Sequence, residues 1–248
     1  MSLLERARDS LREKLFKSGF SPEERVAIRP LHPDEAVGTT APFDLALRRG
    51  PEKIVQAEIQ DTIGQAFTDV PQEWSGTIAQ ALDLDTTYVP HRAHLVATLN
   101  ALSRRFGLCA GTLHCRDREP ETCGKHFADE IQERYGNPKI GMFGFQPYIV
   151  TALVKRFGVE SVTVADLNPS NIGMERKGVV LKHGDQDAEA IVKGCTLGIV
   201  TGSSIVNGTL DRLLGLFERE KKLFILFGNT ISGVAGILGL DRFCPFGK

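Results

Sequence analysis

The stretch TGSSIVNGTLD, Thr201 to Asp211, sets Thr201, Ser203, Ser204, Asn207 and Thr209 around Gly202 and Gly208, between an apolar run and a leucine-rich helical pattern. These hydroxyl and amide side chains crowd a strand-to-helix turn. Capping of the following helix by Asn207 or Thr209 accounts for one of them and leaves the others free to hold a ligand. Asp211 falls in the first turn of that helix, where it already interacts with the positive end of the dipole and opposes an added phosphate. The chemistry favoured is a polar, hydroxyl-bearing or metal-linked ligand over a bare phosphate.

A second grouping, LHCRDREPETCGKHF, brings His114, Cys115, Cys123 and His126 close together in the chain, and soft nitrogen and sulfur donors invite a metal. If GTLHC is a strand, His114 and Cys115 point to opposite faces, and only one of them can join a given site. Cys123 precedes Phe127 and Ile131 on the apolar stripe of its helix and reads as a packing cysteine. A metal held by Cys115 with His126 is the pairing left. His91 and His94, near a helix start, could share a face but read as solvated helix-end histidines. Cys195 opens an apolar strand and reads as core, while Cys244 is a free thiol. No Ser/His/Asp or Cys/His nucleophile signature is present.

The elements that must position these residues alternate in type after Pro138. KIGMFGF is a buried-strand run, Pro147 opens a helix that Gly158 ends, and SVTVADL is a second strand. CTLGIV is a further strand, Asn207 to about Glu220 a helix, and KLFILFG a last strand before NTISGVAGILGL. Strand and helix in alternation imply a parallel sheet covered on both faces, so residues 138–248 form a Rossmann-like domain. Ligands of such sheets bind beyond the carboxyl ends of the strands. Gly144 in GMFGFQP lets the backbone approach a ligand closely, but Phe143 and Gln146 occupy the third and sixth places of the dinucleotide fingerprint, which lowers the expectation of NAD. Asp166 ends the second strand, where an acidic residue can take a ribose hydroxyl. Asp166 and Asn168 equally suit the turn before Pro169, as Asn229 in FGNT suits a turn.

Residues 1–137 read as a smaller α+β domain. Ser2 with Glu5 is a capping-box pattern and Gly19 closes the first helix. RVAIRP is β-prone, EKIVQAEIQDTIGQAF suits strands about a turn, Pro90 opens a helix that Gly107 ends, and another helix runs from about Glu121 to Tyr135. The fold class is thus α/β, a Rossmann-like parallel-sheet C-terminal domain preceded by an α+β domain. With 30 basic and 31 acidic residues and no isolated basic block, nucleic acid is not an expected partner. A charged N-terminus and the lack of a spanning-length apolar run give a cytoplasmic expectation with no membrane. Five cysteines, an odd number, argue for reduced thiols or metal ligands. Leucine-rich helix faces suit burial within the fold or in a homo-oligomer.

The runs GFQPYIVTAL, VTVADLNPSNIG and GIVTGSSIVNGTLDRLL resemble the Rossmann-like domain of the heavy-metal chelation family, a domain of unknown function. The run GQAFTDVPQEWSGTIAQAL, with TLNAL and GTLHCRDREPETC, is similar to the upstream region of a subset of that family. The resemblance implies an upstream domain like the N-terminal domain of enolase, with the site in the cleft between the two. Carried over by position, the cleft takes Gly144, Phe145 and Gln146 from the first loop, Asp166 and Asn168 from the second, and Thr201, Gly202, Ser203 and Asn207 from the third. QAFTD adds Gln65, Thr68 and Asp69, the last as a carboxylate partner or a turn residue before Pro71. The function implied is binding of a metal ion or metal-containing small molecule. The cofactor expected with it is a transition metal, ahead of NAD or S-adenosylmethionine; the alternative is an enzyme using one of those two nucleotide-like cofactors at the strand ends.

Overall fold

The computed structural model describes residues 1–42 and 45–248, apart from the side chains of Ala46 and Arg49. The first part of the chain gives α1 (Leu3–Ser18), β1 (Arg25–Pro30), α2 (Pro33–Val37), α3 (Ala46–Arg49), β2 (Lys53–Ile59), β3 (Thr62–Thr68), β4 (Trp74–Thr77), α4 (Ile78–Leu82) and α5 (Val89–Arg105). The four strands form an antiparallel sheet in the order β3-β2-β1-β4. Its α1 begins as the sequence directs: the Ser2 hydroxyl accepts from the Glu5 N–H while the Glu5 carboxylate accepts from the Ser2 N–H.

The second part adds α6 (Glu119–Tyr135), β5 (Ile140–Phe143), α7 (Pro147–Phe157), β6 (Val162–Asp166), β7 (Glu175–Arg176), β8 (Val179–Val180), β9 (Lys182–His183), α8 (Ala188–Gly194), β10 (Leu197–Thr201), α9 (Ser204–Asn207), α10 (Leu210–Arg219), β11 (Leu223–Phe227), α11 (Ser232–Leu238) and β12 (Arg242–Phe243). β7 and β8 make a small hairpin of their own. The other six strands form one parallel sheet, β12-β11-β10-β5-β6-β9. The chain thus starts in the middle at β5, runs outward through β6 to β9, and returns to the other side of β5 as β10, β11 and β12. The order reverses between β5 and β10, which is where loops on the two sides diverge and leave a crevice. The mixed α/β architecture expected from the sequence is the one observed.

One large core joins both sheets: Leu11 and Leu15 of α1, Ile59 of β2, Leu95, Leu99 and Leu102 of α5, Phe217 of α10 and Val234 of α11 pack in a single cluster. The other face of the parallel sheet is covered by α6 and α7, through Phe127, Ile131, Ile149 and Leu153. Among the described residues no helix is long and apolar enough to cross a membrane.

Two expectations are corrected. The helix expected from Asn207 begins instead at Leu210, because Gly208 takes the left-handed conformation (φ +85°) and ends α9 as a separate turn. Thr209 takes the N-cap position of α10 but its side chain makes no capping hydrogen bond; its hydroxyl and N–H instead donate to the Asn207 amide oxygen. Nor is GTLHC a strand of either sheet; its Leu113 exchanges both backbone hydrogen bonds with Lys248.

The two sheets are fastened by a fully buried amide. Asn100 of α5 donates from Nδ2 to the carbonyls of Gln65 (2.7 Å), Thr230 (3.0 Å) and Asn229 (3.2 Å), and its Oδ1 accepts from the Gly233 N–H at 2.6 Å. Replacing it strands an N–H and carbonyls where water cannot reach. Asn100→Ala is therefore expected to lower the unfolding free energy by about 3 kcal/mol, read from urea titration; an unchanged midpoint would refute this account of the junction.

Candidate functional site

A cavity of about 390 Å³ opens at the carboxyl ends of β5, β6, β10 and β11, where they face the end of β3. Every polar loop singled out in the sequence reaches it. Gly144, Phe145 and Gln146 arrive from β5, Asp166 and Asn168 from β6, Thr201, Gly202, Ser203 and Asn207 from β10, and Thr68 and Asp69 from β3. Gln65 lies just outside, buried behind that wall.

Local chemistry fixes each loop. Gly144 has φ +99°, its N–H donates to the Ala165 carbonyl, and a Cβ there would fall 2.5 Å from Cγ2 of Thr201, so the first and third loops touch only because the residue is glycine. Asp166 accepts from the Phe145 N–H with Oδ2 (2.8 Å) and from the Asn168 N–H with Oδ1 (2.7 Å), locking the second loop to the first. The turn-shaping role of Asp166 is thus realised, and each oxygen keeps a further lone pair for a ligand. Gln146 caps α7 through its Oε1 and the Ile149 N–H. In the third loop the Ser204 hydroxyl donates to the Thr201 carbonyl. Asp211, expected only to favour the dipole of α10, accepts from the Leu3 N–H at the start of α1.

The opposite side is held by β3. Gln65 accepts the His114 N–H with its Oε1 (2.8 Å) and donates its own N–H to the Thr112 carbonyl, while the Phe67 N–H donates to the Thr230 hydroxyl. These bonds carry His114 and Cys115 to the cavity together. The expectation that the two point to opposite faces fails because no strand forms there. Cys123 is a buried helix residue as expected, yet it lines the same cavity, as does Cys244. His126 is not among the lining residues; its ring meets Phe246 edge-on. The pairing of Cys115 with His126 is therefore not one this cavity brings together. His94, expected to be solvated, is buried, with Nε2 3.0 Å from the Gln72 carbonyl; it lies apart from the cavity beside Trp74 and His91.

Electrostatics distinguish the cavity most. Glu52, Asp69 and Asp166 line it, and among the described residues no lysine or arginine does. Burial, followed by the charges of Asp166 and Asp69, raises the Glu52 carboxyl above the ordinary glutamate range. Its Oε2 is buried without a hydrogen-bond partner. His114 does not compensate, since burial lowers it to about 4 and keeps the imidazole neutral at physiological pH. Burial also keeps the thiols protonated: it pushes Cys123 to about 12 and raises Cys115 and Cys244. Glu52 has no motif around it in the sequence, and Cys244 and His114 are distant from each other along the chain, so only folding reveals them as neighbours of the expected loops. Among the described residues no three His, Cys, Asp or Glu side chains are arranged to enclose a metal ion.

Residues 128–238 match the model of the family DUF364, described as "Putative heavy-metal chelation". A DUF364 protein of unknown function from Pyrococcus horikoshii has a similar structure, with a TM-score of 0.55 and 21% identity over 92% of this chain and 80% of that one. A second, from Desulfitobacterium hafniense, gives 0.52 and 14% identity over 94% and 84%. No curated protein matches the chain. The family resemblance of the sequence is thereby borne out, and the two neighbours share its fold.

Two outcomes test this geometry. Gly144→Ala should cost about 2 kcal/mol or more in denaturant unfolding, from the positive φ and the clash with Thr201. For Glu52 the raised pKa sets the sign: its contribution to stability is intact below the unfolded-state value and is lost as pH rises through the folded one. Glu52→Gln should therefore melt above the parent protein at neutral pH, with the difference closing in acid; a variant less stable at neutral pH would contradict the assignment.

Proposed function

We propose that the cavity binds a cationic, metal-bearing small molecule, with Glu52 and Asp69 supplying the charge that selects it. The observation that carries this reading is the one-sided lining: three carboxylates, one with a buried unpartnered oxygen, and no described basic side chain to neutralise them. A low-dielectric recess of one sign attracts the opposite charge and penalises its own. The volume suits a small organic molecule or a metal complex rather than a bare ion. The family description and the absence of a ready-made cage among the described residues are consistent with a metal that keeps part of its own ligand set.

In this reading Gly144, Gly202 and Ser203 bring backbone close to the ligand, Asn168, Thr201 and Asn207 offer neutral donors and acceptors, and Phe145 supplies an apolar face. A pyrophosphate would add negative charge to the same recess, which argues against NAD. The second reading is S-adenosylmethionine, whose sulfonium and ammonium groups match the charge. Asp166 favours it, standing at the end of β6 where an acidic side chain can meet a ribose hydroxyl.

The experiment is a thermal-shift panel of first-row transition-metal ions, each alone and with ethylenediamine or histidine as chelator, beside S-adenosylmethionine, NAD and inorganic phosphate. A ligand at a hundred times its Kd stabilises by about 2.7 kcal/mol. A metal chelate should shift the melting temperature, and Glu52→Gln or Asp69→Asn should weaken that shift while leaving the protein folded. Stabilisation by NAD or inorganic phosphate, or indifference to every cation, would overturn the proposal; a shift by S-adenosylmethionine alone, lost in Asp166→Ala, would put the second reading in its place.

A further inference from the structure

We propose that the thiols of Cys115, Cys123 and Cys244 form a soft-metal end of this cavity, at which two of them hold a thiophilic d10 cation in linear coordination. The inference rests on the reading of the cavity as a site for a metal-bearing cation and names the kind of metal. The cysteines come from three separate segments, the loop before α6, α6 itself and the residues after β12, and all three line the cavity. None is in a disulfide. They lie near enough that the charge of a thiolate at Cys123 or Cys244 bears on Cys115, and that of Cys244 on Cys123. Packing alone does not require three thiols on one cavity, and Cys195 shows the ordinary alternative: buried in the main core, its thiol set against the Val192 carbonyl.

Which metal follows from donor type and number. Thiolates select soft cations, and a zinc cage of four donors is not available where no three described ligand side chains converge. Linear coordination needs only two. Two S–H bonds break, two metal–sulfur bonds form and two protons pass to solvent, with no change of oxidation state; with a divalent cation the product is neutral. The charged groups bearing on these thiols are Glu119 on Cys115, which favours an incoming cation, and Arg242 on Cys244, which opposes it, so the two offset one another. His114 adjoins them as a neutral imidazole whose Nδ1 lies at the Cys115 carbonyl, while its backbone N–H donates to the Gln65 side chain.

The probe is mercuric chloride added to the reduced full chain, read by thiolate-to-mercury ultraviolet absorption and by the metal retained through gel filtration in excess free monothiol. The parent protein should retain a single ion per chain. Each double variant, C115S/C123S, C115S/C244S and C123S/C244S, should lose it, whereas C109S/C195S should keep it. Retention by any of the three double variants, or loss in C109S/C195S, would overturn the proposal. Because a double variant could fail to fold, the unaltered protein is also loaded, unfolded in guanidinium and alkylated: two of these three cysteines should be shielded, and shielding at Cys109 or Cys195 instead would overturn it. A failure here beside an intact Glu52- and Asp69-dependent response to metal chelates removes only the thiols from the site, whereas loss of both responses removes the cavity reading itself.

Discussion

A single buried amide sets the relation on which everything else depends. Asn100 sits inside a helix that touches the antiparallel sheet on one side and the last helix of the parallel-sheet region on the other, and it bonds to both. A neutral side chain with two donors and an acceptor can satisfy several backbone groups without the cost of burying charge. Around it run further bonds of the same kind, from Phe67 to Thr230 and from Asn229 to Thr112, so the seam adds a hydrogen-bonded network to the apolar core that joins the two sheets. The position of β3 over the strand ends, and hence the existence of a recess there, follows from this seam.

The parts of the fold legible in the sequence were those with local chemistry of their own. Ser2, Glu5 and Gly19 marked both ends of α1, and Pro147 with Gly158 bounded α7, because caps and breakers act within a few residues. What escaped was short or conditional. β9 and β12 have two residues each, too few for any periodicity, yet they complete the six-stranded order. Gly208 read as part of a polar turn and proved to divide one expected helix into two. GTLHC suits a strand by composition, but it forms none, and its Leu113 pairs with Lys248 instead of a sheet edge.

The site was legible in the same uneven way. Glycines, hydroxyls and amides at strand ends announced the loops at β5, β6 and β10, since parallel sheets place such ends together. The acidic character of the recess was not legible, because Glu52 comes from a loop between α3 and β2 with nothing in its neighbours to mark it. Cysteine spacing misled for a related reason: proximity along the chain paired Cys115 with His126, whereas folding brings Cys244 to Cys115 from the far end of the sequence. The result is a recess holding carboxylates that repel one another, a feature that costs stability and is characteristic of sites kept for a ligand.

The seam at Asn100 also has a kinetic meaning. Many proteins with a site between two lobes admit their ligand by swinging the lobes apart on a flexible tether. Here such a swing would strip three buried hydrogen bonds from one side chain at once, those to Asn229, Thr230 and Gly233. These bonds resist separation of the two sheets, so under the proposed reading a ligand enters and leaves the recess through local movement of loops and side chains rather than by a swing of one half against the other.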